Sequence, residues 1–452
     1  MRDSLLLDPA AVVRSGLCIG CGLCTLDRVG VMALNRAGHF EPVGPARHGA
    51  SADFAATCPF SPSAANEDLI AAERFRDLPD PSSRLGRVRS AWAGHVADEG
   101  LRGMGSSGGM VTWVLLELLR KRWIDGVAHV VPGGKGRLFE YRISRTPGEI
   151  LAGARSRYYP VELSQVLTTI RREPGRYAVV GVPCFIKGIR LLARRDRLIR
   201  ERICLTLGLF CGHMKGTMLA ESFAWQMGVS AAELAGLDFR HKDPARAANI
   251  YTARVELADG SVRMRDWWNM PDGDWGAGFF QNPACNFCDD VVAETADVAF
   301  GDAWVEPYSS DRRGTNIVLT RSAAVDGLIR DGIADGRLAL EPVTHDLVER
   351  TQDAGFRHRR EGLAYRLTWH RKGVQPVKRV SPRADGLPLR RKLIYRLRAH
   401  IAGASPVVFR VARSLGQAGV YLNWARGILA LYQGLAYRRG RWGAVFDRLG
   451  LK

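Results

Sequence analysis

Three cysteines within seven residues place the first constraint on this chain. In "CIGCGLC", Cys18, Cys21 and Cys24 stand at C-x2-C-x2-C spacing. A loop this tight brings three thiolates together, and a four-iron cluster takes one thiolate per iron. The compact bacterial run closes with a fourth cysteine three residues later, followed by proline. Here that place is Arg28, which cannot ligate iron. The next cysteine is Cys58, and Pro59 follows it, so the closing Cys-Pro pair stands downstream of an insertion. Cys18, Cys21, Cys24 and Cys58 are expected to hold one 4Fe-4S cluster, with Gly20 and Gly22 supplying the permissive backbone that such a loop needs. Zinc on the same four thiolates is the alternative. The doubled x2 spacing favours iron and sulfide.

Five cysteines remain. Cys184 falls where an apolar strand meets a helix, after Val182-Pro183. Cys211 ends the next apolar strand. Cys285 and Cys288 form a C-x2-C in "CNFCDD". Strand ends along one edge of an open α/β sheet are where such folds place their sites. Cys184, Cys211, Cys285 and Cys288 are therefore candidates for a second cluster, against the plainer reading of Cys184 and Cys211 as unligated core thiols. Cys204, inside an apolar strand, reads as a small core residue.

The start "MRDSLLLDPAAVV" lacks the pattern of a secretory signal, and no apolar run is long enough to span a bilayer. A cytoplasmic chain is expected, in which nine cysteines are ligands or redox groups before they are disulfides. The net charge of +19 is unevenly placed: residues 387–452 hold thirteen Lys and Arg against one acid, Asp447. Twelve of the nineteen charges thus belong to an appendage, which argues against nucleic acid as a partner. The tail has helical periodicity, with Leu, Ile, Trp and Tyr among arginines. Helices packed on the core are the plain reading. An amphipathic segment in peripheral contact with the inner membrane surface is the sharper one.

The chain divides at a Pro/Ser-rich linker, residues 77–86. A cysteine-bearing, ferredoxin-like segment is expected over residues 1–80, a core over 88–340, and a basic, mostly helical extension over 345–452. The core alternates strand-like runs (90–97, 127–131, 177–184, 203–211, 296–302) with helical ones (110–122, 185–196), the pattern of an α/β fold with a mostly parallel sheet. Before the first of these helices stands "MGSSGG". Amides in such a turn, added to the positive end of a helix, make a phosphate site. A simple helix cap is the alternative. The turn is neither a Walker A loop nor a G-x-G-x-x-G fingerprint.

"GSSGGMVTWVLLELL", "ARSRYYP", "GVPCFIKGIRLL", "LTLGLFCGH" and "CNFCDDVVAETADVAFGDAW", in this order, resemble the beta subunit family of coenzyme F-420-reducing hydrogenases and dehydrogenases. The resemblance runs from about residue 88 to 335. It implies an iron–sulfur flavoprotein oxidoreductase, with FAD bound in the core. It also implies that Gly105, Ser106, Ser107, Gly108 and Gly109 hold the flavin pyrophosphate, and that Cys184, Cys211, Cys285 and Cys288 hold the core cluster. Ser156, Arg157 and Tyr158 match a short S-K-Y motif with Arg for Lys. Gly301 and Asp302 match a Gly-Asp pair near the cofactor. Lys187, one helical turn from Cys184, is counted with the cofactor-binding residues, a solvated helix lysine being the alternative. The extension resembles the tails of bacterial relatives associated with cell-surface polysaccharide synthesis.

The function expected is electron transfer between one-electron clusters and a two-electron flavin. Ferredoxin or a redox partner subunit stands at one end of the path, and F-420 or another organic substrate takes hydride at the other. The alternatives are a carrier subunit without substrate chemistry and a zinc-bound basic protein at nucleic acid or membrane. No catalytic residue is assigned.

Overall fold

The apolar runs form the middle of a sheet. In the computed structural model, which describes residues 6–27, 30–81, 83–134, 136–243 and 245–451, the strands are β1 (Val31–Leu34), β2 (Phe40–Val43), β3 (Ser90–Val96), β4 (Gly126–Pro132), β5 (Phe139–Ser144), β6 (Tyr177–Gly181), β7 (Ile203–Leu209), β8 (Leu234–His241), β9 (Thr252–Leu257), β10 (Val262–Asp266), β11 (Val298–Asp302), β12 (Asn316–Thr320) and β13 (Leu338–Pro342). Arg28 lies outside the described residues. Eight strands make the main sheet in the order β13-β3-β12-β11-β7-β6-β4-β5. The four strands β4, β6, β7 and β11 pair in parallel. The margins are antiparallel: β5 on one side, and β12, β3 and β13 on the other. Five strands thus run one way and three the other.

Every residue of β6 and of β12 is buried, as expected of strands covered on both faces. Alternate residues divide between two cores. Ala178 and Val180 face a cluster with Trp113, Val114 and Leu118 of the Met110–Arg120 helix. Tyr177 and Val179 face a cluster with Phe185, Ile186 and Ile189 of the Pro183–Ala193 helix. That second core also takes in Val12, Leu17, Leu23, Phe54 and Phe60 of the N-terminal segment. The segment is therefore one layer of the molecule, packed on the sheet face that carries the Pro183–Ala193 helix.

A third core joins the small antiparallel sheet β10-β9-β8 to the C-terminal extension. The last three helices of the extension are Leu389–Ser414, Ala418–Tyr437 and Gly440–Arg448. Ile401, Phe409, Tyr421 and Tyr432 form their buried stripe against Phe239 and Trp267. Among the described residues no helix is long and apolar enough to cross a membrane.

Arg321, directly after β12, is wholly buried. It donates to the carbonyls of Leu85, Arg87, Ala293 and Ala296 at 3.2, 2.8, 3.1 and 3.3 Å. It thereby ties residues 85–87 to the loop before β11. Arg321→Leu would leave buried carbonyls without donors, so a loss of about 3 kcal/mol is expected, read as a lower urea midpoint at unchanged slope.

Candidate functional site

The Met110–Arg120 helix starts from Gly109, whose φ of +81° only glycine adopts cheaply. At Gly108 a Cβ would stand 2.7 Å from the Gly94 carbonyl oxygen of β3. Glycine here lets the turn press against the sheet. Gly105, Ser106, Ser107 and Gly109 line a cavity of about 770 Å³, within the usual size for a cofactor or substrate. Ser107 Oγ donates to the Thr315 carbonyl at 2.9 Å, and Ser106 Oγ accepts from the Ser156 amide at 2.8 Å. The glycine turn and the Ser156-Arg157-Tyr158 motif are thus joined directly, and all three motif residues line the same cavity.

Two guanidinium groups in the cavity wall each keep a buried Nε without an acceptor. Arg157 donates to the Ala154 carbonyl at 2.9 Å and lies over the Phe139 ring, while its buried Nε has no partner. Burial lowers its pKa to about 10, and Arg155 adds to the effect while Asp238 opposes it. Arg240 pairs with Asp302 at 2.9 Å, donates to the Ser106 carbonyl at 3.1 Å and is stacked against Tyr251 and Trp304. Its Nε is also buried and unpartnered. Spare donors beside a turn of backbone amides fit a phosphate or pyrophosphate group. Lys242 stands behind the turn and donates to the Arg102 and Ser107 carbonyls, both at 2.7 Å. Sequence pattern alone does not single out Arg240 and Lys242. The only signal for them is the charged run "DFRHKD" on and just after β8, which also reads as a solvated strand end.

Asp302 lines the cavity beside Gly301, its backbone carbonyl accepting from Gln352 Nε2 at 2.9 Å. Lys187 is elsewhere. It is buried on the sheet face that carries the N-terminal segment, and its ammonium pairs with Glu67 at 3.1 Å. The expectation of a cofactor-side lysine is corrected on this point: a buried carboxylate holds the charge away from the cavity. Trp267, Phe279 and Phe280 are buried core residues, and Trp268 is exposed. His213 is buried in the cavity wall, stacked on Trp275 with 4.3 Å between centroids.

The eight candidate thiols fall in two groups. Cys18, Cys21 and Cys24 lie on a loop that turns at Gly20 (φ +69°) and Gly22 (φ +82°), and Cys58 follows the Ala52–Thr57 helix. Burial pushes the Cys18 thiol up to about 12, with Cys24 and Cys58 adding to it. Cys58 is pushed to about 11 by burial, against the opposing charges of Lys187 and Lys378. Cys184, at the start of the Pro183–Ala193 helix, is raised by burial and then by Cys288, Cys211, Cys285 and Cys21. Cys211 also lines the cavity. Arg359 offers its guanidinium to Cys288 and Cys211 and keeps two buried nitrogens unpartnered. The Met214 amide donates to Cys285 Sγ at 3.3 Å. Burial holds the Cys18, Cys21, Cys58, Cys184, Cys211 and Cys285 thiols protonated, and only a metal or cluster that displaces the protons would make them ligands. All nine cysteines are free of disulfides. Among the described residues no three His, Cys, Asp or Glu converge as ligands of a single metal ion. A cluster asks less, since each thiolate meets its own iron. Cys204 packs in the opposite core, its Sγ 3.4 Å from the Tyr177 carbonyl.

The two groups adjoin. Asn282 Nδ2 donates to the Cys18 carbonyl at 3.3 Å, and the Leu163 amide to the Cys21 carbonyl at 3.0 Å. A Cβ at Gly188, one turn from Cys184, would stand 3.1 Å from Pro59 and 3.2 Å from Leu23.

Two family descriptions match the chain. They are the N-terminal and C-terminal parts of the coenzyme F420 hydrogenase/dehydrogenase beta subunit, over residues 91–168 and 175–346 in turn. Together they cover more than half of it. The chain belongs to the coenzyme F420 hydrogenase/dehydrogenase beta subunit family. Coenzyme F420 hydrogenase subunit beta of Methanothermobacter thermautotrophicus is 22% identical over 268 residues, 57% of this chain and 86% of that protein. Its counterpart in Methanosarcina barkeri is 23% identical over 266 residues, 57% and 84% of the two chains. A chain of the F420-reducing [NiFe] hydrogenase complex from Methanosarcina barkeri aligns with a TM-score of 0.49 and 18% identity, over 64% of this chain and 95% of that one. The family region supplies the glycine turn, Ser156-Arg157-Tyr158, Asp302 and the second group of thiols. The first group precedes it, and His358, Arg398 and Tyr437 of the cavity wall follow it.

Burial lowers Lys242 to about 7, with Arg102, Arg240 and Arg155 adding to the effect. Burial likewise lowers Lys215, also in the cavity wall, to about 7. Both titrate near 10.4 when unfolded. Between pH 7 and 10 the unfolded chain binds more protons, so stability rises with pH across this window and is lower, and flat in this respect, below 7. Lys242→Met and Lys215→Met should each remove part of that rise, measured as urea midpoints from pH 6.5 to 9.5.

Proposed function

We propose that this chain is an iron–sulfur flavoprotein oxidoreductase with two 4Fe-4S clusters and FAD. Its ferredoxin-like N-terminal segment holds one cluster on Cys18, Cys21, Cys24 and Cys58. Cys184, Cys211, Cys285 and Cys288 hold the other. The observation that carries this reading is one cavity running from the glycine turn to Cys211, with the N-terminal thiols packed directly behind Cys184.

Amides of residues 105–109, with Arg157 and Arg240, bind the flavin pyrophosphate. Asp302 fixes Arg240, and Gln352 fixes the backbone of Asp302. Tyr158, Phe300 and Trp304 exclude water from the cavity. Arg359 offsets charge on the Cys211 and Cys288 sulfurs. Flavin, when bound, takes electrons singly and passes them in pairs, which no cluster does. Ferredoxin or a partner subunit exchanges single electrons at the N-terminal cluster. Coenzyme F420 or another organic substrate is the two-electron partner. The resemblance of the extension to bacterial tails supports a role beside cell-surface polysaccharide synthesis, in peripheral contact with the inner face of the membrane. Val407, Val411, Leu415 and Trp442 are exposed there among Arg410, Arg413 and Arg441, the composition of a surface that meets anionic lipid.

Anaerobic purification with iron, sulfide and flavin counts tests the reading. About eight irons per chain and bound flavin that dithionite bleaches are expected. Cys58→Ala and Cys288→Ala should each lose about half of the iron, and only the second should disturb the flavin spectrum. Zinc in place of iron, or a chain without flavin, would overturn the proposal.

A further inference from the structure

One part of the cavity wall is built by chain beyond the family region. His358, Arg398 and Tyr437 line it, and all follow residue 346. His213, Lys215 and Trp275 belong to the same wall. The Tyr437 hydroxyl occupies the place where a side chain at Gly276 would stand, next to Trp275.

This wall carries more donors than it uses. His213 and His358 are each 5% exposed, and the Nε2 of each has no partner. The Nε of Arg398 is buried and equally unpartnered. The Lys215 ammonium, on a residue 2% exposed, donates to the Phe279 carbonyl at 2.7 Å and lies 4.6 Å from the centre of a Trp275 ring. Neither Lys215 nor Arg398 meets a carboxylate as an ion pair among the described residues. The acids nearby are engaged. Asp272 accepts from Ser222, Gln226 and Tyr421, Asp274 from Gln433 and the Ala277 amide, and Asp353 pairs with Arg357. Buried cations and ring nitrogens without acceptors are costly unless something supplies the acceptor. Arg359 differs, because Cys211 and Cys288 already face it.

We propose that this wall binds the anionic group, a carboxylate or a phosphate, of the organic substrate, and that Arg398 of the C-terminal extension is a specificity-determining residue for it. The proposal rests on the reading that the cavity houses flavin and substrate together. It assigns the extension a part in substrate choice that the family region alone does not supply.

Calorimetric titration of the anaerobically purified, cofactor-loaded chain tests it, with phenyl phosphate, benzoate and uncharged benzamide as probes. At least one of the two anions should bind saturably, the tighter naming the preferred group, and benzamide at least about tenfold more weakly. Arg398→Gln should lose about the same factor toward the anion and nothing toward benzamide. Arg398→Lys, which keeps the charge, should recover most of it. Anion and benzamide binding alike, no anion binding, or unchanged affinity in Arg398→Gln would overturn the proposal. So would a shifted cluster potential in Arg398→Gln without a change in anion affinity, since the cation would then serve the cluster. Flavin is counted in the same samples. Its absence would count against the functional reading, while the titration still decides the wall.

Discussion

Arg379 sits among four carboxylates. Glu294 and Asp68 stand at 2.7 Å, Asp289 at 3.4 Å and Glu67 at 3.6 Å. The first two acids in sequence belong to the N-terminal segment, the others to the stretch after Cys288, and the arginine to the extension. Lys378 adds a contact to Asp289 at 3.7 Å, and Lys187 completes the group through Glu67. Against its own burial, these cations hold the Asp289 carboxyl well below the usual range. Asp290, one residue on, is pushed by burial up to about 7, with Glu294 and Glu67 adding to it. Its oxygens are occupied by the Val292 and Glu294 amides. A network of this kind gains little over an apolar core, but loses several kcal/mol when one partner is removed. Its use is to fix three distant pieces of chain in one register.

That register brings the two groups of thiols together. The N-terminal loop lies against the Pro183–Ala193 helix, where Gly188 admits Pro59 and Leu23, and Asn282 reaches from the second group to the backbone of the first. Electron transfer between two centres asks for closeness and rigidity more than for any catalytic side chain. Here rigidity comes from a shared core and a buried charge network, and the cavity of the glycine turn reaches Cys211 of the second group.

Much of this was legible in the sequence, and the reasons for the gaps are physical. "YAVVGVPC" and "ICLTLGLFC" are continuous apolar runs, which only strands covered on both faces can use, and they became β6 and β7. The cysteine spacing separated two groups and set Cys204 aside. The glycine turn was visible because only glycine tolerates its backbone. The antiparallel margin of β12, β3 and β13 was not, since strand direction depends on pairing far along the chain. Lys187 misled because its partner, Glu67, is 120 residues away, and helical position alone does not say which layer a side chain faces. Arg240 and Lys242 looked like a solvated strand end. Arg398 looked like one more charge in a basic tail, because nothing local tells an arginine that enters a cavity from one that meets water.

The buried arginines also set an order on biosynthesis. Arg359 and Arg379 leave the ribosome after all nine cysteines. Until they arrive, the acids around Cys288 repel one another, and the core thiols lack their counter-charge. A nascent chain that stops short of the extension therefore has all nine cysteines but neither of these guanidinium groups. The counter-charges of these sulfurs and acids thus come from the last quarter of the polypeptide.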